Sequence, residues 1–507
     1  MKKPLITPLN RRKFIGNMAS TALAFTILPR HVLGGKDFTA PSDKITMAYI
    51  GLGTQGLREI LPLLSVPEIQ IVAVCDPNLE AVGYRDWGKN YLRDQIRKKL
   101  NSTTWTPGGD NDIPGGLNNG KYIVDTYYKE QRSTDQYSAC NAYTDFRELF
   151  AKEKDLDAIK IMTPDHLHGL LAIAALKRNI HVTMHKPVAN RLLEGKQVID
   201  LAKKSPATSH LAAWEANADM DKTMEWINSG AIGTLKEVHN WTNRPVWPQY
   251  TSLPADTPPV PKDLNWDLWL GPEKERPYHP NYTNMVFRGW YDFGGGSMAD
   301  MGHYSLWKVF QALQLEAPTI IEPNRNHAVD FNEKVPFRIR NDFAFPLASQ
   351  VRFRFEAKGS RPAINLCWYD GGMRPAVPEE LVKQNKDLPA EAMMFVGDAG
   401  IILAGFHGEN PQIISGKRAG ESWKHPREEP GGDVLKGFID GIKNKAQCPG
   451  SLRDTWPLTE AINLYAVALR TGKTLYYDAA NMKITNAPEA NAYLAREYRK
   501  GWEPATI

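Results

Sequence analysis

No stretch of the 507 residues is apolar over the roughly 18 positions that a membrane-spanning helix needs, which excludes a polytopic membrane protein. Cysteine is scarce. Cys75, Cys140, Cys367 and Cys448 stand far apart with no Cys-x-x-Cys pair, so neither a disulfide framework nor a cysteine zinc site is expected, and all four read as isolated thiols in or near the core. No His, Asp or Glu cluster has metal-ligand spacing; His279, His303 and His407 are scattered, and no metal is expected. A real excess of one charge is missing too. The net charge is +5, yet residues 1–40 hold seven Lys/Arg against one acid, which leaves 55 basic and 56 acidic residues for the rest. A body near −1 gives no support to a nucleic-acid partner.

What is present is length and ordinary globular composition. With 42% hydrophobic and 23% charged residues, the chain has enough for two or three domains with buried cores. Arg11-Arg12-Lys13-Phe14-Ile15 precedes a mildly apolar stretch, Met18 to Leu28, closed by Pro29. This resembles a twin-arginine export signal, and periplasmic export of an already folded protein is what it implies; the alternative is a basic amphipathic helix. Residues 1–40 are read as that signal and its linker.

The next segment reads as strand, glycine turn, helix and strand. Ile45–Ile50 reads as a buried strand running into Gly51-Leu-Gly53-Thr54-Gln55-Gly56. Leu57, Ile60, Leu61 and Leu64 follow at helical spacing, with Pro62 expected to kink or end the helix early. A second strand, Ile69–Cys75, ends in Asp76. The glycines allow a tight turn and a close approach of backbone N–H groups to a pyrophosphate, and a carboxylate at the tip of the second strand can bind ribose hydroxyls. Asp76 would repel a 2′-phosphate, so NAD is favoured over NADP. Residues 82–137, rich in turn formers around Thr106–Gly120, read as an insertion after the second strand. Alternation resumes with a helix at 145–152, a strand at 158–162, Thr163-Pro164-Asp165-His166-Leu167-His168, a helix, and a strand at 180–184 closed by His185-Lys186-Pro187.

Ligands of a doubly wound sheet sit outside the carboxyl ends of its strands. Gly51–Gly56, Asp76, Thr163–His168 and His185–Lys186 all fall there. Lys186 is the sharpest candidate for proton chemistry, since burial and a nearby nicotinamide cation would both lower its pKa. His166 and His168 have helix capping or packing as the plainer reading.

These motifs, together with Ser229–Gly233, Asn265–Pro272 and Arg288-Gly-Trp290-Tyr291-Asp-Phe-Gly-Gly-Gly-Ser-Met-Ala-Asp300, resemble the Gfo/Idh/MocA oxidoreductase family from about Lys44 to Asp478. The resemblance implies an α/β protein: a Rossmann domain, residues 44–187, followed by a C-terminal α/β domain, residues 188–507, with a large open, mostly antiparallel sheet. Segments 336–340, 350–355 and 363–368 alternate as strands with one exposed face should, and a final helix over 459–471 is expected near the domain junction. The resemblance assigns Thr163, Pro164, Asp165, His168, His185 and Lys186 to the cofactor side with the glycines and Asp76. It also implies assembly into dimers or tetramers.

Two positions depart from the family pattern. Its Glu-Lys-Pro is His185-Lys186-Pro187 here, and its Asp-x-x-x-His is Asp300-Met-Gly-His303-Tyr304, with a histidine one residue early and a tyrosine in its place. Neighbours on a helix point about 100° apart, so His303 and Tyr304 are rivals for proton transfer, with Asp300 as the orienting acid.

Aromatic residues crowd positions 241–307. Flat rings suit the C–H faces of sugars, so Trp247, Trp290 and Tyr291, with Arg288, are read as substrate contacts, although at least half of such a cluster should be core. The Asp370-Gly-Gly372 turn is a further candidate for the pocket border. The chemistry implied is hydride transfer between NAD and a ring hydroxyl, C3 first, of a sugar or glycoside. Two alternatives stand: an NAD-dependent glycosidase working by transient oxidation, elimination and re-reduction, and a catalytically silent sugar-binding protein.

Overall fold

A computed structural model describes residues 43–506 except 81–82, 106–112, 132–138, 216 and 425–432. The twin-arginine segment and part of the turn-rich stretch lie outside the described residues.

Six parallel strands form the first sheet: β1 Ile45–Ile50, β2 Ile69–Cys75, β3 Asn141–Tyr143, β4 Ala158–Ile161, β5 His181–Met184 and β6 Ser209–Leu211, in the order β3-β2-β1-β4-β5-β6. The inner strands are apolar because helices cover both faces: α1 Thr54–Leu64, α2 Tyr91–Lys99, α3 Leu117–Gln131, α4 Phe146–Lys152, α5 Asp165–Lys177 and α6 Leu192–Lys204. Helix α1 continues two residues past Pro62 before it ends. The sheet also continues past residue 187, since β6 pairs with β5 from Val182–Ser209 to Met184–Leu211.

The stretch read as a plain insertion contains two helices. The second, α3, is the crossover that links β2 to β3; the hydroxyl of its Tyr128 accepts a hydrogen bond from Ile71 N at 3.0 Å. A helix that opens Leu-Asn-Asn-Gly and carries polar residues throughout gives little apolar periodicity to read.

The second sheet has nine strands: β7 Leu235–Trp241, β8 Ile320–Arg325, β11 Ser349–Phe355, β12 Ile364–Asp370, β13 Ala392–Gly397, β14 Ile401–Ala404, β15 Gln412–Ser415, β16 Leu475–Asp478 and β17 Lys483–Ile484. Their order is β15-β14-β13-β7-β12-β11-β8-β16-β17, with β7 and β12 parallel and the other pairs antiparallel. The segment predicted as a strand at 336–340 falls outside this sheet. It forms a separate hairpin, β9 Val329–Asn332 with β10 Val335–Arg338, exposed along its whole length.

Helices α7 Ala218–Asn228, α8 Trp266–Leu270, α9 Gly296–Ala312, α10 Glu379–Val382, α11 Asp433–Lys443 and α12 Trp456–Thr471 complete the second half. The final helix starts three residues earlier than the pattern predicted and packs against both α9 and α6, joining the two halves. The Asp370–Gly372 turn does not border the cleft. Asp370 is buried and takes hydrogen bonds from Ser297, from Ser349 N at 2.7 Å and from the Tyr465 hydroxyl at 2.8 Å, pinning α9 and α12 to the sheet. After β17 the chain returns to the first half, where Arg496 meets Glu194 at 3.1 Å and Glu273 at 2.6 Å.

Candidate active site

Strand β1 ends at Ile50, and Gly51 turns the chain with a φ of +100° that side chains rarely adopt. A Cβ there would meet the Met162 carbonyl carbon at 2.5 Å, and a Cβ on Gly56 would meet the Gly51 oxygen at 2.1 Å. Glycine at both positions lets the loop lie against β4 and lets α1 start close above it. Helix α1 begins at Thr54 with Gly53 as its N-cap, no side-chain cap and no acid in its first turn. Its first backbone N–H groups are therefore available to an anion.

Gly51, Gly53, Thr54, Gln55 and Gly56 line one cavity of about 640 Å³ that follows the carboxyl ends of the parallel strands. Asp76 also lines it. One carboxylate oxygen accepts from Leu52 N at 2.6 Å and the other from Asn78 N at 2.8 Å; burial raises its pKa to about 6 against the pull of those hydrogen bonds. Both oxygens keep a lone pair for a ribose hydroxyl. An uncapped helix start, a glycine cradle and a strand-tip carboxylate in one cleft fit a dinucleotide.

Two features of this cleft were not legible in the sequence. The stretch after β2 folds over the glycine loop: the Tyr84 ring lies beside Gly53, and Asp86 pairs with Arg58 of α1 at 2.6 Å while accepting from Leu92 N at 2.9 Å. At the other edge, Trp502 from the returning C-terminal segment reaches the cavity wall, stacked under the Arg147 guanidinium at 4.2 Å and against Phe146.

The reactive end is built from β5, β7 and α9. Lys186 follows β5, is 3% exposed and forms an ion pair with Asp300 of α9. Arg244, just past β7, reaches the other Asp300 oxygen at 3.2 Å, and Arg288 stands 3.3 Å from the first. Burial alone would raise the Asp300 pKa, but Lys186, Arg288 and Arg244 hold it well below the usual carboxylate range. Lys186 is lowered by burial, with Arg288 pushing the same way and Asp300 opposing. Three cations face one carboxylate, so the site carries a positive field into the cavity and suits an oxygen that gains negative charge.

The adjacent residues of α9 point apart. Tyr304 lines the cavity, its ring 5.6 Å from Lys186 Nζ, and its hydroxyl shares a hydrogen bond of 2.9 Å with His185 Nε2. His303 is fully buried on another side of the helix; neither ring nitrogen has a hydrogen-bond partner among the described residues, and burial, then Lys186, pushes its pKa down to about 3. The geometry thus leaves Tyr304 as the member of the pair that faces the cleft.

The remaining predicted residues divide in the same way. Thr163, Pro164, His185, Arg288 and Trp247 line the cavity. Asp165 and His168 stand behind its wall: Asp165 accepts from Gly295 N at 3.1 Å, and His168 sits between the Thr163 carbonyl at 2.8 Å and the Pro187 carbonyl at 2.6 Å, tying two loops together. Trp290 and Tyr291, read as substrate contacts, are core. Trp290 stacks on Tyr250 at 4.8 Å and donates its indole N–H to Asn281 O at 2.7 Å, and Tyr291 packs on Phe345 at 4.1 Å. Both sit where the chain needs large apolar filling between α9 and the following loops.

Comparison with known proteins adds the family. A model described as "Oxidoreductase family, NAD-binding Rossmann fold" matches residues 118–213, and one described as "Oxidoreductase family, C-terminal alpha/beta domain" matches residues 222–327. A levoglucosan dehydrogenase of Pseudarthrobacter phenanthrenivorans is 31% identical over 97 residues, 19% of this chain. A glycosyl hydrolase family 109 protein of Streptomyces filamentosus is 26% identical over 161 residues, 32% of this chain. The matched segments span 24% of each of these relatives' length. Among solved structures, the WlbA dehydrogenase of Chromobacterium violaceum with NADH and UDP-GlcNAcA superposes with a TM-score of 0.49 at 13% identity, covering 86% of this chain and 97% of that one. Matched in order, behind the glycine turn of the doubly wound sheet and into the large mixed sheet, residues 118–213 and 222–327 carry the NAD-binding Rossmann domain and the C-terminal α/β domain of the Gfo/Idh/MocA oxidoreductase family models.

Proposed function

We propose that this protein transfers hydride between a ring carbinol carbon of a sugar or glycoside, C3 first, and a tightly held NAD. One observation carries the proposal: the buried Lys186–Asp300 pair and the Tyr304 hydroxyl side open into the same cavity as the glycine turn and Asp76. The resemblance to a levoglucosan dehydrogenase supports a carbohydrate substrate. The glycine turn and the start of α1 would hold the pyrophosphate, and Asp76 the adenosine ribose. Bound NAD⁺ supplies a hydride acceptor at C4 of its nicotinamide. Lys186, held as an ammonium by Asp300, donates a hydrogen bond to the reacting oxygen and stabilises the charge that forms as its proton leaves. Arg244 and Arg288 keep Asp300 ionised and so keep Lys186 in place. Tyr304 receives the hydroxyl proton while passing its own to His185, and Trp247 and Arg288 are placed to meet the rest of the sugar.

A second reading is favoured by the match to a glycosyl hydrolase family 109 protein. A ketone at C3 acidifies the C2 hydrogen and lets the anomeric substituent leave with a proton; water then adds across the C1–C2 double bond, and returning the hydride to C3 completes hydrolysis with no net redox change. The two readings differ in products. NAD-loaded protein incubated with aryl glycosides and disaccharides should give a persistent reduced-nicotinamide absorbance with a ketosugar if it is a dehydrogenase, and released aglycone with no lasting absorbance if it is a glycosidase. Sugar binding with neither product overturns both. The twin-arginine segment supports export of the folded, NAD-loaded chain to the periplasm, where a tightly held cofactor would be needed; a fractionation blot with Arg11 and Arg12 changed to lysine tests it.

A further inference from the structure

We propose that His185 and Glu59 extend the reactive site as a proton relay, Tyr304 to His185 to Glu59, resting on the hydride-transfer reading above. The geometry places one nitrogen between two partners: His185 Nε2 is 2.9 Å from the Tyr304 hydroxyl and 3.9 Å from Glu59 Oε1. Glu59 lies on α1, takes a hydrogen bond from Gln55 at 3.2 Å and pairs with Lys160 of β4 at 3.1 Å, and its side chain is 28% exposed, so the far end of the chain reaches water. The Tyr304 ring is stacked on the His407 ring at 6.1 Å and lies 5.6 Å from the Lys186 ammonium. His185 and Tyr304 are also the two positions where the sequence departs from the pattern it resembles, and they touch each other.

The step balances. The substrate O–H breaks and its proton goes to the Tyr304 oxygen, while the Tyr304 proton goes to the lone pair of His185 Nε2. The two electrons of the C–H bond leave with the hydride; the imidazolium so formed is paired by Glu59, 3.9 Å from the same nitrogen, and a turn of the ring carries the Nε2 proton to that carboxylate, which passes it to solvent. The charged groups around His185 are Lys186 beside it, Glu59, Lys160 and Arg288; burial and then Lys186 hold its pKa well below the usual value, so it waits as a neutral acceptor. Lys160 and His185 keep Glu59 at about 2 although burial would raise it, so it waits as a carboxylate.

The test uses the full NAD-loaded chain with ¹⁵N-labelled histidine, and the variants Tyr304→Phe, His185→Gln, Glu59→Gln and the first two combined. The relay requires an unprotonated His185 Nε2 at neutral pH whose ¹⁵N signal moves in Tyr304→Phe. In turnover, Tyr304→Phe and His185→Gln should each lose about 10²-fold in kcat, with the double variant losing no more than either, because a unit is broken once. Glu59→Gln should move the acid limb of kcat to lower pH. A protonated Nε2 unmoved by Tyr304→Phe, or losses that multiply in the double variant, overturns the relay. The spectrum also separates the two failures: the expected ¹⁵N pattern without turnover on any sugar keeps the Tyr304–His185 hydrogen bond but removes the hydride-transfer reading and the relay with it, whereas turnover with a protonated, unmoved Nε2 removes the relay alone.

Discussion

At the scale of single residues, the account turns on charge and exposure. Lys186→Ala leaves Asp300 with Arg244 and Arg288, so the fold and NAD binding should survive while turnover falls by about 10²–10⁴-fold, the usual worth of a positioned acid–base group; NAD titration beside a rate assay checks both. His303→Leu should leave activity within a factor of about two and leave stability unchanged or raised by about 1 kcal/mol, because it removes a buried ring whose nitrogens have no hydrogen-bond partner among the described residues. Thermal melting and the same rate assay decide it. Lys186, Asp300, Arg288 and the rivalry of His303 and Tyr304, though not its outcome, were legible because they lie inside contiguous motifs at strand ends or on one helix. Arg244, Glu59 and Trp502 were not. Arg244 and Trp502 reach the cleft from distant parts of the chain, and a lone arginine after a strand or a tryptophan near the C-terminus carries no local pattern; Glu59 sits on α1 outside the cavity lining and meets His185 only once β5 is in place.

At the scale of elements, two close approaches should be intolerant of change. Gly56→Ala places a methyl against the Gly51 carbonyl, so α1 must shift; loss of NAD affinity by at least about tenfold, about 1.4 kcal/mol, is expected in calorimetry. The Arg58–Asp86 pair fastens the stretch that covers the glycine turn. Asp86→Ala should weaken NAD binding chiefly by faster dissociation, measured by displacement of the bound cofactor, with the rate of the chemical step unaffected. The first βαβ unit was readable residue by residue, since apolar strands, glycines and a strand-tip acid occur in order. Helix α3 and the β9–β10 hairpin were misread for opposite reasons. The helix is polar along most of its length, and the hairpin has strand alternation although no core covers either face.

At the scale of the whole molecule, the two halves are tied by ions that composition does not reveal. Arg496, nearly inaccessible, meets Glu194 and Glu273 at the junction. Arg496→Met removes the cation and leaves two buried carboxylates short of a partner, so unfolding free energy should fall by about 3–5 kcal/mol in denaturant titration. Acid should destabilise the fold as well. Burial holds His166, His210 and His303 at about 3 and lowers His168 and His185, so below the unfolded value near 6.5 the unfolded chain binds protons that the native one refuses. Asp76, raised to about 6, Glu460, raised to about 7, and Asp165, Glu273 and Asp370, which burial also raises, act in the opposite sense as pH falls, but with His181 lowered too, six histidines stand against these five acids, and the histidines' unfolded value falls inside the window whereas the acids' lies below it. The melting temperature should therefore drop between about pH 6.5 and pH 5.

The most direct test of hydride transfer at the Lys186–Asp300 site follows the hydrogen itself. NAD-loaded protein is given glycosides deuterated at their ring carbinol carbons, quenched by denaturation early in the reaction, and the released dinucleotide is weighed by mass spectrometry. The account predicts a reduced cofactor carrying one deuterium from the wild-type chain and none from Lys186→Ala at equal NAD occupancy. Cofactor that never gains deuterium from any sugar, or an equal gain in the Lys186→Ala variant, would contradict it.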